Sequence, residues 1–250
     1  MSIKYNYFGY IIVGFAIAYG LGWGVKCILS YSNVFHSLPT LKLGSGYLFP
    51  IMSEALGSLI GGLIAGVIAG TVIGIIFMQM YPNLYMDAAT VFSISIHWGI
   101  VSAFGIMIGR ILGIVVAYNS IANAFATFFD IQNFFPDWIV HSYAIFTSVL
   151  IGLVVGEWTL ELIFVPAIDL KGIDFKVWKW GLGFGLGTWF GTLTALRLTY
   201  SVFIDLTATY PPISMIRAFV LGGIVNGLCI GLVGIIPTLI EIEEKKQVDS

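Results

Sequence analysis

Charge is what this sequence has least of. Of its 250 residues only 10% are Asp, Glu, Lys or Arg, while 58% are hydrophobic. A soluble domain carries about a quarter charged residues, so this balance, with a mean hydropathy of +0.97, excludes an ordinary soluble fold and implies an integral membrane protein. Cysteine is scarcer still. Cys27 and Cys229 both fall inside apolar segments, which reads as small buried side chains and not as a disulfide or a metal site. Histidine occurs three times: His36 sits in a loop, and His97 and His141 open antiparallel spans from opposite faces, at depths too different to share one haem iron. No segment offers a phosphate loop, a His–Glu metal pair or a nucleophile beside a base. Neither a cofactor nor an enzymatic activity is therefore expected.

What the chain does have is long apolar runs. A membrane span needs about 20 mostly apolar residues, and six stretches qualify, at roughly 8–30, 50–80, 90–118, 138–165, 178–200 and 213–240. The first is longer than the apolar core of a secretory signal, roughly 7–15 residues, and is read as a span. Residues 31–46 and 81–89 read as connections, and 166–177 as a solvated turn. Residues 119–137, where phenylalanines alternate with Asn, Asp and Gln, suit an interfacial or re-entrant segment. Residues 241–250 form a polar tail.

Glycine is abundant, at 30 residues, and it is ordered. After Phe49-Pro50, Gly62, Gly66 and Gly70 recur at every fourth position, so on a helix they form one stripe with no side chain. In lipid such a stripe lets a second helix approach closely. After Phe135-Pro136 the same spacing brings Ser148, Gly152 and Gly156; after Tyr210-Pro211 it brings Gly223, Gly227 and Gly231. The odd-numbered spans carry stripes before a tyrosine: Gly14, Ala18 and Gly22 before Tyr31; Gly105, Gly109 and Gly113 before Tyr118; Gly183, Gly187, Gly191 and Ala195 before Tyr200. The pattern predicts an all-α polytopic membrane protein, one membrane domain over residues 1–250, with six transmembrane helices in three tandem hairpin repeats of roughly 8–80, 90–165 and 178–240. Successive hairpins share one orientation, so the repeats relate by an axis along the membrane normal.

Intramembrane charges are functional candidates. Lys26, Arg110 and Arg197 lie toward the C-terminal ends of odd spans, and Arg217 early in the sixth, all on one side by parity. Lys26 and Arg197, close to the tyrosine that ends their spans, are expected to snorkel to the headgroups. Arg110 lies deeper, and Glu54, at comparable depth, is its expected counter-ion; alternatively the cations form a basic rim that draws anions toward a central path. Lysines gathered on the other side favour both termini in the cytoplasm and multi-pass insertion in the cell membrane.

Six spans in about 250 residues, scarce charge and many Ile, Tyr and Ser give the chain an outline that resembles the polytopic membrane subunit of the archaeal DNA-import system, CedA. The resemblance implies a channel for DNA, assisted by small membrane subunits and a separate ATPase, and a basic rim would suit a polyanion. The expected function is a transport or channel component in the lipid bilayer. The alternative is a non-catalytic scaffold subunit of a larger membrane complex, because the stripes offer more interface than six helices need among themselves.

Overall fold

Apolar runs of this length leave the backbone one open-chain solution in lipid, the helix, because each N–H and C=O must find a partner within its own segment. The computed structural model describes residues 6–32, 41–42, 48–49, 51–80, 87–116, 178–199 and 210–241, and these are helical almost throughout. The elements are α1 (Asn6–Tyr31), a two-residue antiparallel pair β1 (Leu41–Lys42) and β2 (Leu48–Phe49), α2 (Ile51–Met80), α3 (Ala88–Val116), α4 (Trp178–Thr199) and α5 (Ile213–Cys229). After Cys229 the chain runs on through a π-helical turn, Ile230–Ile235, and stays helical to Glu241. Four of these helices, α1, α2, α3 and the run Ile213–Glu241, are long and apolar enough to cross a membrane. They coincide with the first, second, third and sixth expected spans, and α4 coincides with the fifth. The span expected at 138–165, with Ser148, Gly152, Gly156 and His141, lies outside the described residues, as do His36, the segments 119–137 and 166–177, and the tail beyond Glu241.

Neighbouring helices are antiparallel and meet through glycine. A methyl group at Gly22 of α1 would overlap the Gly61 carbonyl of α2, and one at Gly61 would overlap the Gly22 carbonyl, so the two backbones touch directly. Gly191 of α4 and Gly222 of α5 face each other in the same reciprocal way. On its other side α2 lays Gly62, Gly66 and Gly70 against Ser102, Trp98 and Ser95 of α3, and α5 lays Gly223 and Gly227 against Tyr19 and Phe15 of α1. The face of α3 toward α2 includes Val91, Ser95, Trp98, Gly99 and Ser102.

These contacts put α1, α3 and α4 parallel to one another, with α2 in the groove between α1 and α3, and α5 in the groove between α1 and α4. The centre is aromatic. Phe15 and Tyr19 of α1 meet Trp98 of α3 edge-on, with centroids 5.9 Å apart, and Phe184 of α4, at 6.4 Å. The opposite face of α1, Tyr10, Val13, Ile17 and Leu21, is exposed, as are Phe92, Ile100 and Phe104 of α3. Apolar side chains at helical spacing on the outside suit a lipid surround and would aggregate in water.

Polar groups fasten the ends. Asp87 caps α3: its Oδ1 accepts the Thr90 backbone N–H at 2.8 Å and the Thr90 hydroxyl at 2.7 Å, satisfying a donor that the first helical turn leaves open. Those bonds, the hydroxyl first, hold the Asp87 carboxyl below its ordinary value. A lowered pKa stabilises the cap above the unfolded carboxylate range, and this support is lost as pH falls through the folded value. At the same end Lys179 Nζ meets Glu241 Oε2 at 2.8 Å, tying the start of α4 to the end of the helical run Ile213–Glu241.

Two outcomes follow. Gly61→Leu should separate α1 from α2 and lower stability by about 1–3 kcal/mol, the usual cost of overpacking, read as thermal melting in detergent. Asp87→Ala should speed amide hydrogen exchange in the first turn of α3, around Thr90 and Val91, and leave the middle of that helix unchanged; acidifying the wild type should produce the same local change.

A candidate intramembrane ion-pair site

Lys26 stands four residues past Gly22, one turn up α1, and Glu54 stands seven before Gly61, two turns back along α2. The close glycine contact therefore brings the two side chains to the same level between the helices. Lys26 Nζ lies 2.8 Å from Glu54 Oε1, and the side chains are 4% and 3% exposed. The ammonium also lies 5.6 Å from the centroid of the Trp23 ring, within reach of a cation–π attraction. Next to it Cys27 is fully buried, and one turn further the Ser30 hydroxyl donates to the Ser53 carbonyl at 3.4 Å.

This geometry gives Glu54 a partner that its depth in the sequence did not suggest. Glu54 is held by Lys26, and Lys26 does not snorkel to the headgroups, because a small-residue contact one turn away traps its stem between two helices. The Arg110 and Arg197 side chains lie outside the described residues; their backbone positions fall at the same end of the bundle as Lys26. Arg217 is also at that end and is exposed. His97 lies on an exposed face of α3, its Nδ1 2.8 Å from the Ser93 carbonyl of its own helix. Among the described residues no cluster of His, Cys, Asp and Glu has the arrangement of a metal site.

The other described hairpin shows what the same packing looks like without charge. Matching Gly22 to Gly191 and Gly61 to Gly222 sets Lys26 against Ala195 and Glu54 against Met215. The contacts agree: a methyl at Gly61 would meet Lys26 Cβ at 2.9 Å, and one at Gly222 would meet Ala195 Cβ at 3.1 Å. Ala195 and Met215 are both buried, in one apolar cluster with Trp23, Cys27 and Phe219. So the hairpin closes on apolar residues in one place and on an ion pair in the other. A buried ion pair is often no better for stability than apolar residues of similar volume.

Two further groups were not foreseen. Asn226, near the middle of the run Ile213–Glu241, is 1% exposed, and its Oδ1 has no hydrogen-bond partner among the described residues; it sits against Gly187. It occupies the position that Ala65 takes in the first hairpin, each beside its glycine, Gly191 or Gly22. The Lys179–Glu241 pair was legible in principle, since antiparallel fifth and sixth spans bring the start of one to the end of the other.

No protein-family model matches the chain, and neither a curated protein nor a solved structure matches it.

Removing one partner of the pair should be costly where removing both is not. Lys26→Met takes the ammonium away from a buried carboxylate, with an expected loss of about 3–5 kcal/mol, whereas Lys26→Ala with Glu54→Met, the residues of the other hairpin, should melt at or above the wild-type temperature.

Proposed function

We propose that this chain is a membrane transport or channel component built of six helices in three tandem hairpins. Its more specific form is the pore-forming subunit of a DNA-import system, working with small hairpin subunits and a separate ATPase. The Lys26–Glu54 pair carries the reading. Ionisable groups within a membrane are expensive and mark paths for ions or substrates, and the fold has no architectural need of charge there, because Ala195 and Met215 fill the equivalent place in the last hairpin. The repeat draws support from two matched sets of contacts. Gly22 with Gly61 parallels Gly191 with Gly222, and the α2 stripe on Trp98 and Ser102 parallels the α5 stripe on Phe15 and Tyr19. Arg110, Arg197 and Arg217 join Lys26 at one end of the bundle and supply the basic rim that a polyanion would meet. The spread of lysines keeps both termini on the cytoplasmic side.

The scaffold reading has one observation in its favour, the close packing of Phe15, Tyr19, Trp98 and Phe184 between the parallel helices. Flux measurements separate the two. The purified chain in proteoliposomes should carry anions, and Lys26→Ala with Glu54→Met should abolish that flux while the protein still melts as the wild type does. Neutralising Arg110, Arg197 and Arg217 to Gln should shift the reversal potential away from that of the favoured anion. Absence of flux in every variant, together with co-purification of haem or metal proteins, would decide for the scaffold.

A further inference from the structure

The path that a transport component needs has to cross the middle of the bundle, and there the structure is closed by rings. The three parallel helices each contribute: Phe15 and Tyr19 lie near the centre of Asn6–Tyr31, Trp98 in the first half of Ala88–Val116, and Phe184 in the first third of Trp178–Thr199. Phe15 and Tyr19 are a turn apart on α1 and stack, with centroids 6.1 Å apart and planes at 22°. Each then takes a partner from a different helix. Trp98 stands at 90° to Phe15, and Phe184 at 76° to Tyr19. The result is two layers, Phe15 with Trp98 and Tyr19 with Phe184, with exposures of 0%, 1%, 0% and 6%. Across the upper layer the Tyr19 hydroxyl and the Ser102 hydroxyl are 3.3 Å apart, joining α1 to α3.

Position argues that the rings share a role. Phe15 receives the glycine stripe of α5, and Trp98 receives the glycine stripe of α2, each at the middle glycine, Gly227 or Gly66. Matching Gly22 with Gly191 makes Phe184 the counterpart of Phe15 on α4. Each of the three inner helices therefore brings an aromatic ring to the centre. Lys26 lies two turns beyond Tyr19, about 10 Å at 1.5 Å per residue, so the buried ion pair lies nearer the basic end and the rings lie beneath it.

We propose that Phe15, Tyr19, Trp98 and Phe184 form the constriction that sets the size of what this protein passes. The proposal rests on the transport reading. Apolar constrictions hold a path shut by excluding water, and pore diameter sets selectivity. The edge-to-face contacts are worth only about 0.5–1.5 kcal/mol each beyond simple burial, so the rings close the centre without locking it. An ion that enters past the Lys26–Glu54 level must turn at least one ring aside.

The experiment uses the full chain in proteoliposomes and reads efflux of potassium and chloride, then of the larger tetraethylammonium and glutamate ions. Phe184→Ala and Trp98→Ala should each raise basal leak roughly tenfold and admit the larger ions, while Phe104→Ala, on the exposed face of α3, should leak as the wild type does. Should an alanine variant fail to fold, Phe184→Leu is read in its place, and a rise in leak of about threefold is expected from its smaller cross-section. Leak and size limit unchanged in the folded ring variants, with wild-type flux present, would overturn the constriction and leave the transport reading standing. No flux in the wild type and no leak in any ring variant would overturn both.

Discussion

Everything in this molecule depends on how near two helix backbones can come. Between α1 and α2 the limit is set at Gly22 and Gly61, where each glycine leaves room for the other's carbonyl. In water, burial of apolar side chains drives helices together; in lipid that gain is nearly absent, and close van der Waals contact between small residues takes its place. The consequence reaches the chemistry directly. A pair of larger residues at that crossing would hold the helices apart, and Lys26 would have room to reach the headgroups. Because the crossing is tight, the ammonium is confined beside the carboxylate of Glu54.

The same device, used again between Gly191 and Gly222, accepts different contents. Ala195 and Met215 give an apolar junction, while Asn226 brings a polar amide to a place held by Ala65 in the first hairpin. Architecture and chemistry are thus carried by different residues. The glycines fix spacing, and the positions one or two turns away are free to vary. This division explains why a bundle with uniform packing presents charge at one junction, an amide at another and aromatic rings at the centre.

The backbone plan was readable in the sequence because it follows from few rules. Span length comes from the thickness of the bilayer, and a glycine at every fourth position implies a packed face; α1, α2, α3 and the run from Ile213 to Glu241 have the length and apolarity those rules ask for, and α4 is a helix where the fifth span was expected. The side-chain partners were less readable. Glu54 is near Arg110 in depth, but depth alone cannot say that the Gly22–Gly61 crossing also brings Lys26 beside it. The ring on α3 was not foreseen either: α3 meets α2 through Trp98, Gly99 and Ser102, because a neighbour that is itself glycine-lined accommodates a large ring. Asp87 escaped notice as a cap because a single Asp before an apolar run is a common pattern, and only the geometry at Thr90 reveals its role.

The buried pair also constrains how the protein enters the membrane. During synthesis α1 is complete before Glu54 is made, so for that interval the Lys26 ammonium has no carboxylate beside it. A lone charge at the centre of an inserting helix costs about 2.5–3.5 kcal/mol, less toward its end, and that cost disappears once α2 folds back. The lysine therefore makes α1 less favourable in lipid on its own than with α2 folded back against it, whereas the apolar junction of Ala195 and Met215 adds no such difference between α4 and α5.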